Sequence, residues 1–437
     1  MPVPDSDRPR LDAALSKARA RYVADNPASE AAHHQARQFM PGGNTRTILY
    51  HDPFPLRAVS GHGARITDAD GHEYLNLLGE YTAGLFGHTH PVIRAAIDSA
   101  LDCGINLSAH NTHEIRLAEL VCGRFPSIER VRFTNSGTEA NLMAIATARH
   151  HTGRGRVMVM HGGYHGGLLY FGDGGIPINA PYDFVLGRFN RIDATRELIR
   201  GNAGDLACVL VEPMMGSAGC LPADPDFLCM LREETRNAGT ILIFDEVMTS
   251  RLSPGGAQQH YDVLPDLTTL GKYIGGGMSF GAFGGTQEIM AMYDPGRPNA
   301  MPHAGTFNNN TLSMAAGAVA MGEVFTPLAA TALNARGDAL RRRLNTMAEE
   351  CSAPVHLTGI GSLMNLHGCR TEIRDPQDLV ASDDRIKQLV FLDLLERGFY
   401  IARRGFVALM LPHTDRDLEA FSETMEDILE QHAGTWS

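Results

Sequence analysis

From about residue 90 the sequence alternates short apolar runs with longer stretches of helical period, and this alternation limits the fold more than any other feature. "VRFTNSGTEANLMAIATARHHTG" reads as a strand, a turn and a helix. "RVMVMHGGYHGG" reads as a strand entering a glycine-rich loop. "LACVLVEPMMG" and "TILIFDEVMTS" are near-continuous apolar strands ending in acidic residues, and "PDFLCMLREETRNAG" between them is a helix closed by Gly239. Strands apolar on both faces and separated by helices predict a parallel sheet covered on both sides. Ligands of such sheets sit beyond the carboxyl ends of the strands, where Glu212 and Asp245 are expected.

The flanks read differently. Residues 10–24 predict an amphipathic helix, and "ARITDADGHEYLNLL" predicts a hairpin about Asp70-Gly71. From about residue 325 a long amphipathic helix, two strand-like runs ("VHLTGIGSLMNLHG", "GFVALMLP") and a final helix describe an α+β unit. The expected division is an N-terminal segment, 1–70, packing near the small domain, a large α/β domain, 71–324, and a small α+β domain, 325–437.

Charge and cysteine usage exclude several function classes. A net charge of −12 argues against a broad nucleic-acid or anionic-membrane surface, though not against a local cationic pocket. The seven cysteines are scattered and form no C-x-x-C pair, which points to reduced thiols and a cytoplasmic protein. The opening "MPVPDSDRPR" lacks the apolar core of a secretory leader, and no apolar run is long enough to span a bilayer. The nineteen histidines are dispersed without an H-E-x-x-H, so no metal is expected.

Four places carry chemistry. Ser136 followed by Glu139 predicts a capping box, and Ser136, Gly137 and Thr138 would offer hydroxyls and free N–H groups to a phosphate at a helix N-terminus. Asp245 and Glu246 end a buried strand, and spacing alone leaves open which of them faces a ligand. Tyr164, on a loop after a strand, is either a packed aromatic or a stacking surface for a flat ring. Lys272 is the only charge in "TTLGKYIGGGMSFGAFGG". A triphosphate loop would need Gly and Ser or Thr where the chain has Asp266 and Tyr273, and no G-x-G-x-x-G is present. A lysine among apolar residues has a lowered pKa and a nucleophilic amine that attacks carbonyls. A phosphate cradle, a stacking ring, an acid and such a lysine together fit pyridoxal 5'-phosphate.

"FTNSGTEAN", "GGYHG", "VEPMMG", "FDEVMTSR", "TTLGKYIGGGMSFGAFGG" and "GTFNNN" resemble the class III pyridoxal-phosphate aminotransferases, fold-type-I enzymes that include the glutamate-1-semialdehyde aminomutases. The resemblance runs from about Pro41 to the C-terminus. It implies a large domain with a mostly parallel seven-stranded sheet and a smaller α+β domain. It implies that Lys272 bonds the cofactor aldehyde and shuttles protons, and that Asp245 rather than Glu246 faces the ring nitrogen. Val247 and Tyr164 would flank the ring, Ser136–Thr138 would hold the phosphate, and Glu212 would lie near the ring substituents. Thr306 would reach the phosphate of a neighbouring subunit, which implies a homodimer with its active sites at the interface. The glycines after Lys272 would let the backbone pass close to the cofactor and the dimer partner.

Two further segments, "PGGNTRTILYHDPFPL" and "ARRGFVALMLP", resemble those of the aminotransferases for aromatic β-amino acids, of the β-phenylalanine type. In that reading Arg46 and Arg404 contact carboxylates and Tyr81 lines the pocket. The expected reaction moves the amino group of a β-amino acid to an α-keto acid such as 2-oxoglutarate or pyruvate. The alternative is an aminomutase, whose relatives carry glutamate at the position of Val407 and "SPVRAF" in place of "NTRTIL". A non-catalytic regulator binding the same cofactor would need an appended recognition domain, and the segment before Pro41 is too short for one.

Overall fold

The computed structural model describes residues 9–436. Residues 1–8, on which part of the leader argument rests, lie outside the described residues.

The large sheet has seven strands in the order Arg130–Thr134, Gly281–Gly285, Leu267–Gly271, Ile241–Asp245, Leu206–Val211, Arg156–Met160 and Asp183–Gly187. All run parallel except Gly281–Gly285, which is antiparallel to both neighbours. Strand alternation divides the apolar runs between two cores. Val157, Val159, Leu210, Ile241 and Ile243 face the helix Gly137–Thr152 through Ala140, Ala144 and Ile145. Met158, Met160, Val209, Leu242 and Phe244 face the helix Pro225–Ala238 through Phe227, Leu228 and Leu231. Each fully buried Leu or Phe contributes about 1.5–3 kcal/mol, so both faces hold the sheet.

Gly281–Gly285, with the sequence GAFGG, has little strand propensity, and close packing explains its composition. A Cβ on Gly281 would lie 2.1 Å from the Ser136 carbonyl oxygen, and one on Gly285 would lie 2.3 Å from that of Asp266. The strand joins the two halves of the site. Gly281 pairs with both Gly271 and Thr134, so Lys272 and Ser136 emerge at the same edge.

The helix Pro327–Glu350 follows Thr311–Val324 across a 76° bend. It packs on the antiparallel strands His356–Ile360 and Leu363–His367, the second of which pairs with Phe406–Ala408. The last helix, Asp415–Gln431, opens with a capping box between Thr414 and Asp417. The N-terminal helix Pro9–Asp25 lies on the helix Asp384–Glu396, and Arg21 bonds Asp393 at 2.9 Å and Glu396 at 2.8 Å. The hairpin of Arg65–Asp68 and Glu73–Asn76 forms, and Glu73–Asn76 also pairs in parallel with Phe399–Tyr400. A boundary between residues 70 and 71 therefore falls on the turn of a hairpin whose two strands share one sheet with a C-terminal strand.

Candidate active site

Three strands deliver acidic and basic groups to one sheet edge. Asp245 ends Ile241–Asp245, Lys272 follows Leu267–Gly271, and Glu212 follows Leu206–Val211. Asp245 is 4% exposed and multiply bonded. Its Oδ2 lies 2.8 Å from Asn141 Nδ2 and 2.8 Å from His165 Nδ1, and its Oδ1 accepts from the Val247 N–H at 3.0 Å. Thr269 extends the network by donating its hydroxyl to Asn141 Oδ1 at 2.7 Å. Sequence reasoning missed Asn141, His165 and Thr269. His165 stands beside Tyr164 in "GGYHG", and Asn141 lies one helical turn past Gly137, yet neither spacing names Asp245 as a partner.

Glu246 points the other way, as strand alternation requires. It is fully buried and accepts from the N–H groups of Ala257 and Gln258 and from Gln258 Nε2. Burial pushes its carboxyl up to about 7 against those hydrogen bonds. The pair thus separates into one carboxylate at the sheet edge and one that closes the start of the short helix Ala257–Tyr261.

Lys272 is half-buried with its backbone in the left-handed region, φ 54°. Burial pushes its ammonium down to about 8, while Asp245 and Glu212 act to raise it and Arg404 to lower it. Glu212 accepts from the N–H groups of Tyr164 and Gly216, each at 3.0 Å, and burial pushes it up to about 7. The glycines after Lys272 serve the chain's own packing. A Cβ on Gly275 would meet Phe280 at 2.4 Å, and one on Gly276 would meet the Ala316 backbone at 2.6 Å. Ala316 belongs to the helix Thr311–Val319, so these two glycines let that helix pack against the segment after Lys272.

Ser136 is the N-cap of Gly137–Thr152 and accepts from the Glu139 N–H at 3.2 Å. The capping box is incomplete, because Glu139 Oε2 accepts from the Asn135 N–H at 2.6 Å instead of from that of Ser136. The first N–H groups of the helix have no intrahelical acceptor by position. Val247 fills the space a side chain at Gly137 would take, with its methyl carbons 2.9 Å from a built Cβ. Thr138 Oγ1 accepts from the Gly167 N–H at 3.3 Å. Tyr164 is 44% exposed, with its ring edge-on to Tyr170 at 5.8 Å. Burial raises its phenol, and Arg404 and Arg46 both pull it back down. Thr306 is exposed beside the half-exposed Phe307.

Tyr81, Arg404 with Phe406, and Arg46 come from three separate segments that meet one another. Tyr81 is buried and stacks on Phe406 at 5.3 Å, and its hydroxyl donates to the Ile48 carbonyl at 3.1 Å. Arg404 lies over the Tyr81 ring at 5.1 Å, and its Nη1 donates to the Ser217 carbonyl at 3.0 Å. Its Nε is buried without a partner. Arg46 does not stand free, as its Nη1 is ion-paired with Glu80 Oε1. No group of three or more metal-ligating side chains occurs among the described residues.

These features fit pyridoxal phosphate. A helix N-terminus with unbonded N–H groups suits its phosphate, a buried carboxylate at the sheet edge suits a protonated ring nitrogen, and a lysine titrating near 8 suits its aldehyde. Fold and site define a pyridoxal-phosphate enzyme of fold type I. The class-III aminotransferase family matches residues 49–171 and 186–429, and the chain belongs to that family. It is 49% identical over 422 residues to the β-phenylalanine transaminase of Variovorax paradoxus, covering 97% of both chains. The solved structure of the β-phenylalanine aminotransferase from that organism superposes with a TM-score of 0.95 at 48% identity, covering 97% of this chain and 98% of that one. A solved transaminase with pyridoxal phosphate bound superposes with a TM-score of 0.86 at 31% identity, covering 94% and 99%. A glutamate-1-semialdehyde 2,1-aminomutase of Methanothermobacter thermautotrophicus is 36% identical over 420 residues, covering 92% of this chain and 98% of its own. The protein is a pyridoxal-phosphate-dependent aminotransferase.

Proposed function

We propose that the protein transfers the amino group of an aromatic β-amino acid to an α-keto acid such as 2-oxoglutarate or pyruvate. The observation that carries this reading is the pair of guanidiniums gathered around Tyr81: Arg404 lies over its ring, and Arg46 is paired with the adjacent Glu80. One site must accept a β-carboxylate with a large side group in one half-reaction and an α-carboxylate in the other. Two separated guanidiniums suit two carboxylate positions, because each offers a planar fork of donors. The stacked rings of Tyr81 and Phe406 offer an apolar surface to an aromatic side group. The 49% identity to a β-phenylalanine transaminase supports the same assignment.

In this reading Ser136, Gly137 and Thr138 hold the cofactor's phosphate, Tyr164 and Val247 flank its ring, Glu212 lies near the ring substituents, and Asp245 and Lys272 bind its two reactive ends. When bound, the cofactor supplies an electron sink for the carbon that loses its proton. Lys272 Nζ takes that proton and returns it. Its amine is neutral at lower pH than an ordinary lysine because burial disfavours the ammonium. Asp245 keeps its negative charge oriented through Asn141, His165 and the Val247 N–H, so it does not reorganise as charge develops. Arg46 and Arg404 orient the carboxylates.

The partner copy in the proposed homodimer would bring its Thr306 loop to this site, and the exposed Phe307 beside Thr306 supports such a contact. Seven unpaired thiols support a cytoplasmic location. The test is a half-reaction screen. Holoenzyme is mixed with β-phenylalanine, an aliphatic β-amino acid and an α-amino acid, without acceptor, and the bound cofactor's visible absorbance is followed. Rapid loss with β-phenylalanine is expected. Reaction with α-amino acids alone would overturn the β-amino acid assignment.

A further inference from the structure

Glu80 is the least expected neighbour of the substrate wall. Glu80, Tyr81 and Thr82 follow one another with φ of 51°, 50° and 84°, and Gly79 before them has φ 53°. Left-handed backbone at three consecutive residues with side chains is unfavourable and persists only where the surroundings fix it. The surroundings fix all but one of them. Asn76 Oδ1 accepts from the N–H groups of Leu78 and Gly79, Tyr81 is stacked on Phe406, and Thr82 is fully buried. The Glu80 side chain is half exposed, and its Oε1 is held on Arg46 Nη1. The other ionisable neighbours that respond to Glu80 are His88, Tyr81 and Tyr400, none of which is a cation that replaces Arg46. The strained turn therefore delivers one carboxylate, and it delivers it to Arg46, whose segment also receives the Tyr81 hydroxyl at the Ile48 carbonyl.

We propose that Glu80 is a built-in stand-in for the substrate carboxylate. It occupies Arg46 in the free enzyme and is displaced when a carboxylate-bearing substrate enters. The inference rests on Arg46 being a carboxylate contact. Its consequence is selectivity. A ligand without a carboxylate leaves the Arg46–Glu80 pair closed, whereas a β-amino acid exchanges one carboxylate for another on the same guanidinium. The exchange moves no net charge out of the pair, so a half-exposed ion pair is a low barrier to the right ligand. Glu80 is thus a specificity-determining residue that competes for Arg46.

The test measures 3-phenylpropanoate, a carboxylate without an amine, as an inhibitor of the holoenzyme, alongside KM for β-phenylalanine and for 1-phenylethylamine. Four forms are compared: wild type, Glu80→Gln, Glu80→Asp and Arg46→Gln. Removing the competitor in Glu80→Gln should lower the inhibition constant about 2- to 5-fold, the range set by a surface ion pair. It should also lower KM for β-phenylalanine relative to that for the amine. Glu80→Asp, which keeps the charge and tolerates left-handed backbone, should restore wild-type values. Should Glu80→Gln fold poorly, Glu80→Asn suits the left-handed turn and replaces it. If Arg46→Gln raises the inhibition constant but Glu80→Gln raises it or leaves it unchanged, the stand-in role is overturned and Arg46 keeps its own. If Arg46→Gln leaves the constant unchanged, the carboxylate role of Arg46 fails, and the stand-in fails with it.

Discussion

The two walls of the site are held in opposite ways. On the sheet edge Asp245 is nearly sealed from water and bonded by Asn141, His165 and the Val247 N–H. Across from it, Arg46 and Glu80 are about half exposed and each depends on the other. A network of buried, hydrogen-bonded groups resists rearrangement, because each lost bond leaves a desolvated polar atom costing about 1–3 kcal/mol. A single exposed ion pair is worth at most about 1 kcal/mol and rearranges readily. In the proposed reading, the chemistry falls on the rigid wall and substrate choice on the adaptable one.

The largest effect tests the rigid wall. Lys272→Ala should lower turnover at least about 10³-fold, since it removes both the amine and the proton shuttle. Acceptor-dependent amino transfer measures it, and turnover near wild type would break the comparison. Asp245→Asn should cost about 10²–10³-fold in kcat, because the neutral amide loses the charge held on His165 and Asn141. KM should change far less, and a change confined to KM would move Asp245 to the adaptable wall.

The titration of Lys272 sharpens the same point. Its ammonium is pushed down to about 8, so the neutral amine forms above that pH. Capture of pyridoxal phosphate by cofactor-stripped protein should fall about tenfold per unit below pH 8 and level off above it. The unfolded lysine still holds its proton between about 8 and its ordinary value, so the stripped fold also gains stability from this group as pH rises through that window. A capture midpoint near the ordinary lysine value would show that burial does not govern Nζ.

On the adaptable wall, Arg404→Gln should raise KM for 2-oxoglutarate about 10-fold or more with kcat nearly kept, as expected when a charged hydrogen bond to substrate is lost. Arg404 is held by the Ser217 carbonyl and by the rings of Tyr81 and Phe406, and among the described residues no carboxylate pairs with it, which leaves its charge available. An equal fall in kcat would place it among the groups that act on the transition state instead.

The sequence was legible where one element carries the whole signal. Apolar runs marked Leu206–Val211 and Ile241–Asp245 as strands, and Ser136 marked the start of its helix. Lys272 stood out because no other charge surrounds it. Illegible parts depend on pairings across long separations. His165 is 80 residues from Asp245, and Asn141 is 104. Glu80 is 34 residues from Arg46, and its left-handed backbone has no signature in "LGEYTAG". Gly281–Gly285 was hidden because its glycines answer to neighbouring backbone rather than to strand propensity.

The smallest catalytic effect discriminates best, because it concerns two carboxylates one residue apart. Glu246 is as buried as Asp245, but its oxygens are used on the N–H groups of Ala257 and Gln258 and on Gln258 Nε2. Glu246→Ala should leave kcat within about 2-fold, since the residue faces away from Lys272. It strands four buried donors, Thr249 Oγ1 included, which costs stability of about 1–3 kcal/mol for each group that finds no new partner. For a chain of 437 residues that lowers the melting temperature by about 1 °C per kcal/mol. Asp245→Asn should show the reverse, a large loss of kcat with a small thermal shift, because the amide still bonds two of its partners. Melting curves and kcat on the same two preparations decide it. A catalytic loss in Glu246→Ala comparable to that in Asp245→Asn would show that strand alternation does not divide the two carboxylates between fold and chemistry.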